Sequence, residues 1–436
     1  PSVGVATTDG VYVASDRIVR SALAALLIVG ALEACSEQVS TSLGCPDLCT
    51  DQSAPLRDTT LVGGVVVDSS LLGFAGIGDT HDITLLNQGD TADVRLVARF
   101  DTLPQTYRAT GATVDSAITH VDSASLIFFI DTLTVKATSP ITVDAFDVDT
   151  TAADTATSVL VPLFRANRLI GTKTFETADI KDTLRMPIDN GVVFAKIRDT
   201  TRLRIGLRVR GSSTARMRVL ASQVTPRVRF RVSADTTVRP DTVFLRSKTP
   251  SDDAFLASVF TVFPLVAKGA LPPPPKDRFV IGGLAGARTY LKFDIPGTVI
   301  DSVQVIRASL LLTQTPARST ARVKDTLIVR THPVLVSPTV TDIATAMGFL
   351  GGSASYGVDS VLFVPADSGG KSIELVNLFR FWRAIGSANS SRAIVLRASS
   401  EGANPGEVTF YSLLGPPALR PKLRITYVPR RGFGLP

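Results

Sequence analysis

Short runs in which apolar and polar residues alternate dominate this chain, and turn-forming residues such as Gly, Pro, Asp and Ser separate them. No long stretch repeats its apolar residues with the 3.6-residue period of a helix. Alternation with a period of two places successive side chains on opposite faces of a strand. The pattern therefore predicts an all-β protein built from many short antiparallel strands.

The same order of strand patterns occurs twice, at an offset of about 190 residues. LVARFDTLP at 96–104 corresponds to TYLKFDIPG at 289–297, and TPRVRFRVS at 225–233 corresponds to RPKLRITYV at 420–428. A repeat of this length predicts two copies of one β unit.

The two copies are predicted as tandem domains, residues 59–235 and 236–430. Each has more strands than an immunoglobulin-like domain, which favours a two-sheet antiparallel jelly-roll sandwich. The run LPPPPK at 271–276 lies within extra residues of the second copy. Four prolines favour an extended stretch that cannot join a sheet, so we expect a surface spacer there, with a recognition loop as the alternative.

Several patterns follow one another through the second copy: TYLKFDIP, ASLLLT, LVNLFRFWRAIG, AIVLRASSEG, VTFYS and RPKLRITYV. In this order they resemble the DNRLRE-type domain, a jelly roll of secreted bacterial proteins that is related to carbohydrate-binding modules. The first copy is more divergent and lacks the Trp segment and the FYS element. The resemblance implies a non-catalytic binding or adhesive role and names no particular sugar.

The amino-terminal region carries the pattern of an export signal. Arg17 and Arg20 precede the apolar run SALAALLIVGALEAC, which has the length of a signal-peptide core and is short for a membrane span. We therefore predict a lipoprotein-type signal peptide over residues 1–34. The end of the run resembles a lipobox, with Glu33 where a small or apolar residue is usual, and predicts lipid attachment at Cys35. A buried amino-terminal helix with an incidental cysteine is the alternative.

Residues 35–58 are polar, contain Pro, Ser and Thr, and show no core-forming pattern. They are predicted to tether the lipid anchor to the folded part of the chain. Cys45 and Cys49 lie in this tether, and two thiols in an oxidising compartment predict a local disulfide. A zinc site is disfavoured because structural zinc needs four ligands.

Composition argues against catalysis and cofactors. The chain has 46 Lys and Arg, 39 Asp and Glu and three His, with a formal net charge of +7, so anionic partners are favoured. No nucleophile elbow, His-Glu-x-x-His or phosphate-binding loop occurs, and no enzymatic activity, metal or nucleic-acid partner is predicted. Asp147, Asp149 and Asp154 could supply calcium ligands, but they lack the glycine turn and terminal acid of a calcium loop, and hydrogen bonding in turns accounts for them.

A ladder of arginines is the main candidate site. Three successive runs between residues 202 and 232 place Arg at every second position and apolar residues between, which puts the arginines on the strand face opposite the core. Two alternative interpretations are open. The first is a solvated face whose charges are offset by cross-strand Asp and Glu, which is the usual role of a charged run. The second is a face that binds an acidic polymer through bidentate contacts to carboxylates. The arginines are Arg202, Arg204, Arg208, Arg210, Arg216, Arg218, Arg227, Arg229 and Arg231.

Three aromatic residues are candidates for stacking against a sugar ring. Trp382 lies in the apolar cluster LFRFWRAIG and is predicted to be in the core. Tyr356 and Tyr411 are predicted as exposed aromatics.

Together these observations predict an exported, lipid-anchored, non-catalytic binding or adhesion protein of the bacterial cell envelope, at the outer membrane or cell surface. Its predicted ligand is a polysaccharide, acidic in the case of the arginine face. The alternatives are a structural envelope or surface-assembly protein with a protein partner and, third, a polysaccharide-cleaving enzyme.

Overall fold

The computed structural model describes the chain from residue 56 to 429 with gaps. Cys35, Cys45, Cys49, the predicted signal and nearly all of the predicted tether lie outside the described residues. Within the described part, no helix is both long and apolar enough to cross a membrane. The described ranges are 56–74, 81–101, 103–107, 113–133, 139–211, 215–222, 224–232, 256–319, 324–335, 350, 356–386 and 391–429.

The described residues form mainly β-strands with a few short helices. The strands before residue 260 are β1 (Arg57–Leu61), β2 (Val65–Leu71), β3 (Ile83–Asn87), β4 (Asp93–Phe100), β5 (Thr106–Tyr107), β6 (Ser116–Ala117), β7 (Ser123–Ile130), β8 (Ile141–Asp147), β9 (Leu169–Phe175), β10 (Thr183–Ile188), β11 (Leu203–Arg210), β12 (Ala215–Leu220), β13 (Arg227–Arg231) and β14 (Leu256–Ser258). The later strands are β15 (Thr261–Lys268), β16 (Arg278–Gly282), β17 (Arg288–Phe293), β18 (Val303–Thr315), β19 (Leu327–Pro333), β20 (Val361–Phe363), β21 (Gly369–Glu374), β22 (Ala393–Ala398), β23 (Glu407–Tyr411) and β24 (Lys422–Pro429). The α-helices are α1 (Thr157–Leu160), α2 (Asn190–Arg198), α3 (Gly297–Ile300) and α4 (Val376–Ile385), and 3₁₀ turns cover Val161–Leu163, Ala166–Arg168, Thr177–Asp179 and Pro417–Leu419.

All pairings between described strands are antiparallel. The prediction of an all-β fold with antiparallel strands is confirmed. We call residues 83–232 the first half and residues 278–429 the second half. The second half contributes to a six-stranded sheet, β1-β24-β18-β23-β16 with β21 on β18, and to a five-stranded sheet, β2-β17-β22-β19-β20.

The first half, together with β14 and β15, forms one eleven-stranded sheet whose strand order matches that of the second half. Its segment β14-β13-β7-β12-β3, with β10 on β7, corresponds to the six-stranded sheet, and β4-β11-β8-β9, with β15 on β4, corresponds to the five-stranded sheet. A short pairing of β3 with β4, at Leu86↔Val94 and Asn87↔Asp93, joins the two layers. β5 and β6 form a separate two-stranded sheet.

Two strand pairs cross between the halves. We call β1 with β2 the first arm and β14 with β15 the second arm. The first arm precedes the first half in sequence, but β1 pairs with β24 and β2 pairs with β17, both in the second half. The second arm pairs with β13 and β4 of the first half. The boundary predicted near residue 236 groups each arm with the half that follows it, whereas the pairings place it in the sheets of the other half.

Each half has its own cluster of buried core side chains. The larger cluster of buried side chains draws on β3, β4 and β7 to β13, and the second draws on both sheets of the second half. The apolar residues of the arginine runs lie in the first cluster: Leu203, Ile205, Leu207, Val209, Met217, Val219, Val228, Phe230 and Val232. The predicted facing of these residues is confirmed.

Helix α4 lies against the second core. Its Leu378, Phe379 and Trp382 are buried, with Trp382 only 1% exposed, so the prediction that this tryptophan is in the core is confirmed. Gly386 follows the last residue of the helix, and its φ of 82° is readily adopted by a residue without a Cβ.

The halves also contact each other directly. Leu284, in the turn before β17, packs against Leu86, Ala92 and Val94 of the first half. The backbone N–H of Thr84 donates to Gly402 O at 2.9 Å. The proline segment 271–276 lies in no strand, between β15 and β16.

Candidate anion-binding face

Arginines of β11 contact carboxylates of the neighbouring strand β8 and of the segment that follows β8. Arg210 binds Asp144 of β8 through two nitrogens, at 2.5 Å and 2.8 Å. Arg208 lies opposite Asp144 in the strand register and adds to its positive surroundings. Burial alone would raise the pKa of Asp144, but the hydrogen bonds from Arg210 and Thr172 outweigh it and hold the pKa below its ordinary value. Asp144 is therefore ionised at neutral pH and offsets this part of the ladder.

Arg204 and Arg202 bind the segment that follows β8. Arg204 is fully buried and donates to Ala152 O at 2.9 Å, with Asp154 Oδ1 at 3.0 Å. Arg99 of β4 binds the other oxygen of Asp154 at 2.7 Å. Burial lowers the pKa of Arg204, and the charge of Asp154 opposes that effect. Arg204 was predicted on the ligand-binding face, but the segment containing Asp154 covers it.

Two of the candidate calcium carboxylates, Asp149 and Asp147, lie beside cationic side chains in the same way. Asp149 accepts from Arg202 Nε and from Lys196 Nζ, both at 2.9 Å. These two hydrogen bonds hold the pKa of Asp149 below its ordinary value against the opposing effect of burial. Asp147 lies 3.7 Å from Lys196. Among the described residues, no group of three or more His, Cys, Asp or Glu side chains is arranged to hold a metal ion.

Aromatic and aliphatic side chains cover the middle of β11 on the face that carries its arginines. Phe164 packs on Gly206, where an added Cβ would lie 2.5 Å from the phenylalanine ring. Phe164, Phe146, Val97 and Phe263 belong to one buried cluster outside the main core. Glycine at position 206 interrupts the arginine ladder because this aromatic cover needs the space.

The arginines of β12 also have acidic partners. Arg218 binds Asp82 at 3.1 Å and Asp131 at 3.3 Å. Arg216 reaches across to Asp325 of the second half at 2.9 Å. These contacts match the alternative interpretation, in which Asp side chains offset the ladder, although one partner comes from the other half of the chain.

The surroundings of β13 are different. Strands β13, β7 and β10, with β9 adjoining β10 through Lys173 Nζ and Arg185 O, carry five cationic side chains and no Asp or Glu within the strands. Arg227 and Arg185 lie on opposite sides of Ile127 in the register. Since neighbouring strands are about 4.8 Å apart, their backbones are separated by roughly 10 Å. We call this surface the basic face; its cations are Arg227, Arg229, Arg231, Arg185 and Lys173.

An apolar strip divides the cations of the basic face. Ile127 and Phe129 of β7 are half-buried on its outer side, and the guanidinium of Arg227 lies 5.8 Å from the Phe129 ring centre. Arg185 Nε donates to Ser125 Oγ at 2.9 Å. Arg229 and Arg231 are not free of interactions within the chain. The face combines guanidinium groups with an apolar surface against which a sugar ring could pack.

A shallow depression adjoins the basic face at the end of β10. It has a volume of about 560 Å³ and includes Ser123, Pro187 and Asn190 in its lining. The corresponding layer of the second half has a depression of about 340 Å³ lined by Lys371, Arg420 and Lys422. There the cations have acidic neighbours, because Lys371 binds Asp367 at 2.7 Å and Arg307 binds Glu374 at 2.9 Å. The matching layers therefore differ in charge balance.

The predicted exposed tyrosines are half-buried. Tyr356 packs against Phe381 with ring centres 4.4 Å apart. Tyr411 lies beneath the guanidinium of Arg278, 4.3 Å from the ring centre. Each ring is thus in contact with another side chain of the protein. Arg185 and Lys173, which complete the basic face, were missed because each is a lone cation in its strand and only the pairing brings it beside β13.

Comparisons with known proteins give little. No protein-family model matches the chain, so the resemblance to the DNRLRE-type domain has no support from a family match, and no curated protein matches either. The infectious bursal disease virus VP2 subviral particle is 11% identical, over 84% of this chain and 77% of that chain, with a TM-score of 0.13. The T=1 particle derived from the same virus is 12% identical, over 86% and 74%, with a TM-score of 0.10. Such low TM-scores establish no shared fold.

Proposed function

We propose that this chain is a non-catalytic protein that binds an acidic polysaccharide through the basic face. The observation that carries the proposal is the contrast within the ladder. Carboxylates from a strand and from connecting segments contact arginines of β11 and β12, whereas β13, its partner β7, and the strands β10 and β9 beyond it have no acidic residue within them. An anionic polymer lying along these strands would place its negative charges beside Arg227 and Arg185.

The chemistry of the face suits carboxylates on a sugar polymer. A planar guanidinium binds a carboxylate through two parallel hydrogen bonds, which an ammonium does less well. Arg227 and Arg185 flank Ile127, so a sugar ring packed over the apolar strip would have a guanidinium on each side. Because Arg229 and Arg231 have interactions within the chain, we assign the first contacts to Arg227 and Arg185.

The fold and the cellular location that we propose with this function are those expected from the sequence. Each half with its arm is proposed to be a jelly-roll sandwich, which the matching strand orders support. The export signal and the lipid on Cys35 would hold the protein in the bacterial envelope, where acidic glycans are accessible.

The test is binding of the full-length protein to a uronate polymer and to a neutral glucan, at low and high salt. We expect binding to the uronate polymer alone, weakening with salt, because screening reduces contacts between exposed charges. Arg185→Gln/Arg227→Gln should lower the affinity roughly tenfold or more, since each hydrogen bond to a charged group contributes about 1.5–3 kcal/mol before screening.

The matched control removes two cations elsewhere. Arg198 and Lys268 are exposed, at 62% and 54% of their side chains, and lie outside the basic face. Arg198→Gln/Lys268→Gln changes the net charge equally and should bind as the wild type does. Equal loss in both variants would mean that net charge alone drives binding. No binding to any glycan would favour the structural envelope role with a protein partner, and release of reducing ends would indicate a polysaccharide-cleaving enzyme.

A further inference from the structure

Each arm adds its two strands to the sheets of one half. The first half receives the second arm, which comes next in sequence, and β14 and β15 complete its two layers beside β13 and β4. The second half is followed by no third arm among the described residues. Its corresponding positions beside β24 and β17 are filled by the first arm, which lies more than two hundred residues earlier. The second half is thus an acceptor that the chain fills by folding back on itself.

The first arm is held by fewer buried side chains than the second arm. Val65 is 3% exposed, but Val66 and Val67 are 45% and 39% exposed, and Val62 in the connecting turn is 62% exposed. In the second arm, Thr261, Val262, Phe263 and Leu265 are all nearly inaccessible, at 0–4% exposure. A segment that buries little apolar surface is the one that opens more readily.

We propose that the first arm is an exchangeable donor, and that the second half accepts the first arm of a second copy of this chain. The contacts made between copies would be the same as those within one chain: β1 beside β24 in the register Asp58↔Thr426, and β2 beside β17 in the register Val67↔Lys292. Exchange of identical elements needs no new interface, and a closed monomer competes with it only through the high effective concentration of its own arm.

The geometry of exchange is head-to-tail. The donor segment lies at the amino-terminal side of one copy and the acceptor lies in the carboxyl-terminal half of the other, so the contact is heterologous. Such a contact closes into a ring, in the simplest case a dimer, or extends into a chain of copies. Concentrated protein should therefore contain strand-exchanged dimers and longer assemblies.

Single-cysteine variants test the exchange in the full-length protein. In a background with Ser at the three native cysteines, one sample carries Val67→Cys and the other carries Lys292→Cys, at two positions that face each other in the register. The two samples are mixed at high concentration, unfolded, refolded together and oxidised. We expect disulfide-linked dimers that join one chain of each kind, in an amount that rises with concentration during refolding.

Two controls make every outcome decisive. A chain with both substitutions should close an internal disulfide when refolded at low concentration, which checks the register; failure to close would overturn the pairing on which the proposal rests. A mixture of Lys292→Cys with Leu133→Cys, at an 88% exposed position in a turn of the first half, measures random collision. If the Val67 and Lys292 mixture gives no more mixed dimer than this control while the double variant closes, the arm is not exchanged between copies.

Discussion

The two arms occupy corresponding positions in the two halves, yet they are bound very differently. Val262 and Leu265 of the second arm are fully buried, one in the main core and the other in the cluster beneath Phe164. In the first arm Val65 is buried in a core, Leu61 and Leu71 pack partly buried against core clusters, and Val66 and Val67 are 45% and 39% exposed. Since burial of apolar surface is the dominant stabilising term in folding, the second arm contributes more to the free energy of unfolding. The second arm is thus a well-buried part of the first half, whereas the first arm, at the corresponding position of the second half, is held by less buried apolar surface.

The charges beside the two arms show the opposite contrast. Arg288 begins β17 opposite Leu71 of the first arm, and Arg95 lies in β4 opposite Leu265 of the second arm. Arg288 is fully buried and binds both carboxylate oxygens of Glu401, at 2.5 Å and 2.8 Å. Arg95 is 9% exposed and binds Asp93 beside it on the same strand. Beside the lightly held arm, the polar contacts are therefore the more deeply buried ones.

The largest effect is expected from breaking the buried pair. Glu401→Gln leaves Arg288 with an uncompensated charge away from water, which costs about 3–5 kcal/mol of unfolding free energy. Asp93→Asn is the matched change beside the second arm, and it should cost distinctly less because Asp93 and Arg95 retain contact with water. Chemical denaturation of both variants measures the difference, and equal losses would show that the depth of burial does not set the cost.

The second prediction removes apolar contacts from each arm. Leu265→Ala should cost about 2–5 kcal/mol, because a fully buried leucine leaves a cavity when truncated. Val67→Ala should cost at most roughly 0.5 kcal/mol, as expected at a largely solvent-facing position. The unfolding midpoints in urea of the two variants check this. Similar losses for both would remove the distinction between a fixed and an exchangeable arm.

The sequence was sufficient for the local features of this molecule. Alternation in LRIGLRVR and RVRFR predicted which residues face the core, because a strand places every second side chain on the same side. The repeat predicted two equivalent halves for the same reason, since equal patterns form equal strands. Trp382 was assigned to the core from its apolar neighbours in α4.

Pairing across long distances was beyond the sequence. The pattern of β2 fits the edge of β4 as well as the edge of β17, so nothing local tells which half receives the first arm. The acidic partners of the arginine ladder are also distant in sequence. Asp144 pairs with Arg210 and Asp325 pairs with Arg216, and no local pattern indicates either pair. The basic face likewise depends on a distant pairing, because it forms only where β10 and β13 both pair with β7.

The smallest effect concerns two carboxylates on either side of the segment that joins the first arm to the first half. Burial raises the pKa of Asp68 in β2, and the hydrogen bond from the Leu413 N–H only partly offsets it. Asp82 is also buried, but the N–H groups of Ala221 and Ser222, the Ser222 hydroxyl and Arg218 outweigh that effect and lower its pKa.

The two carboxylates should thus give opposite dependences of stability on pH. A raised carboxyl pKa means that the folded state binds its proton more tightly, so this contribution falls as pH rises from the ordinary value of 3.8 through the higher folded value. A lowered pKa gives stability that is present above 3.8 and lost as pH falls through the lower folded value. At neutral pH, Asp82→Asn should therefore cost roughly 1–2 kcal/mol, with the difference from wild type shrinking below pH 3.8. Asp68→Asn should be neutral or slightly stabilising, within about 0.5 kcal/mol. Unfolding free energies of the three proteins across this pH range measure both trends, and parallel curves would show that the arm and the first half do not differ in how they hold their carboxylates.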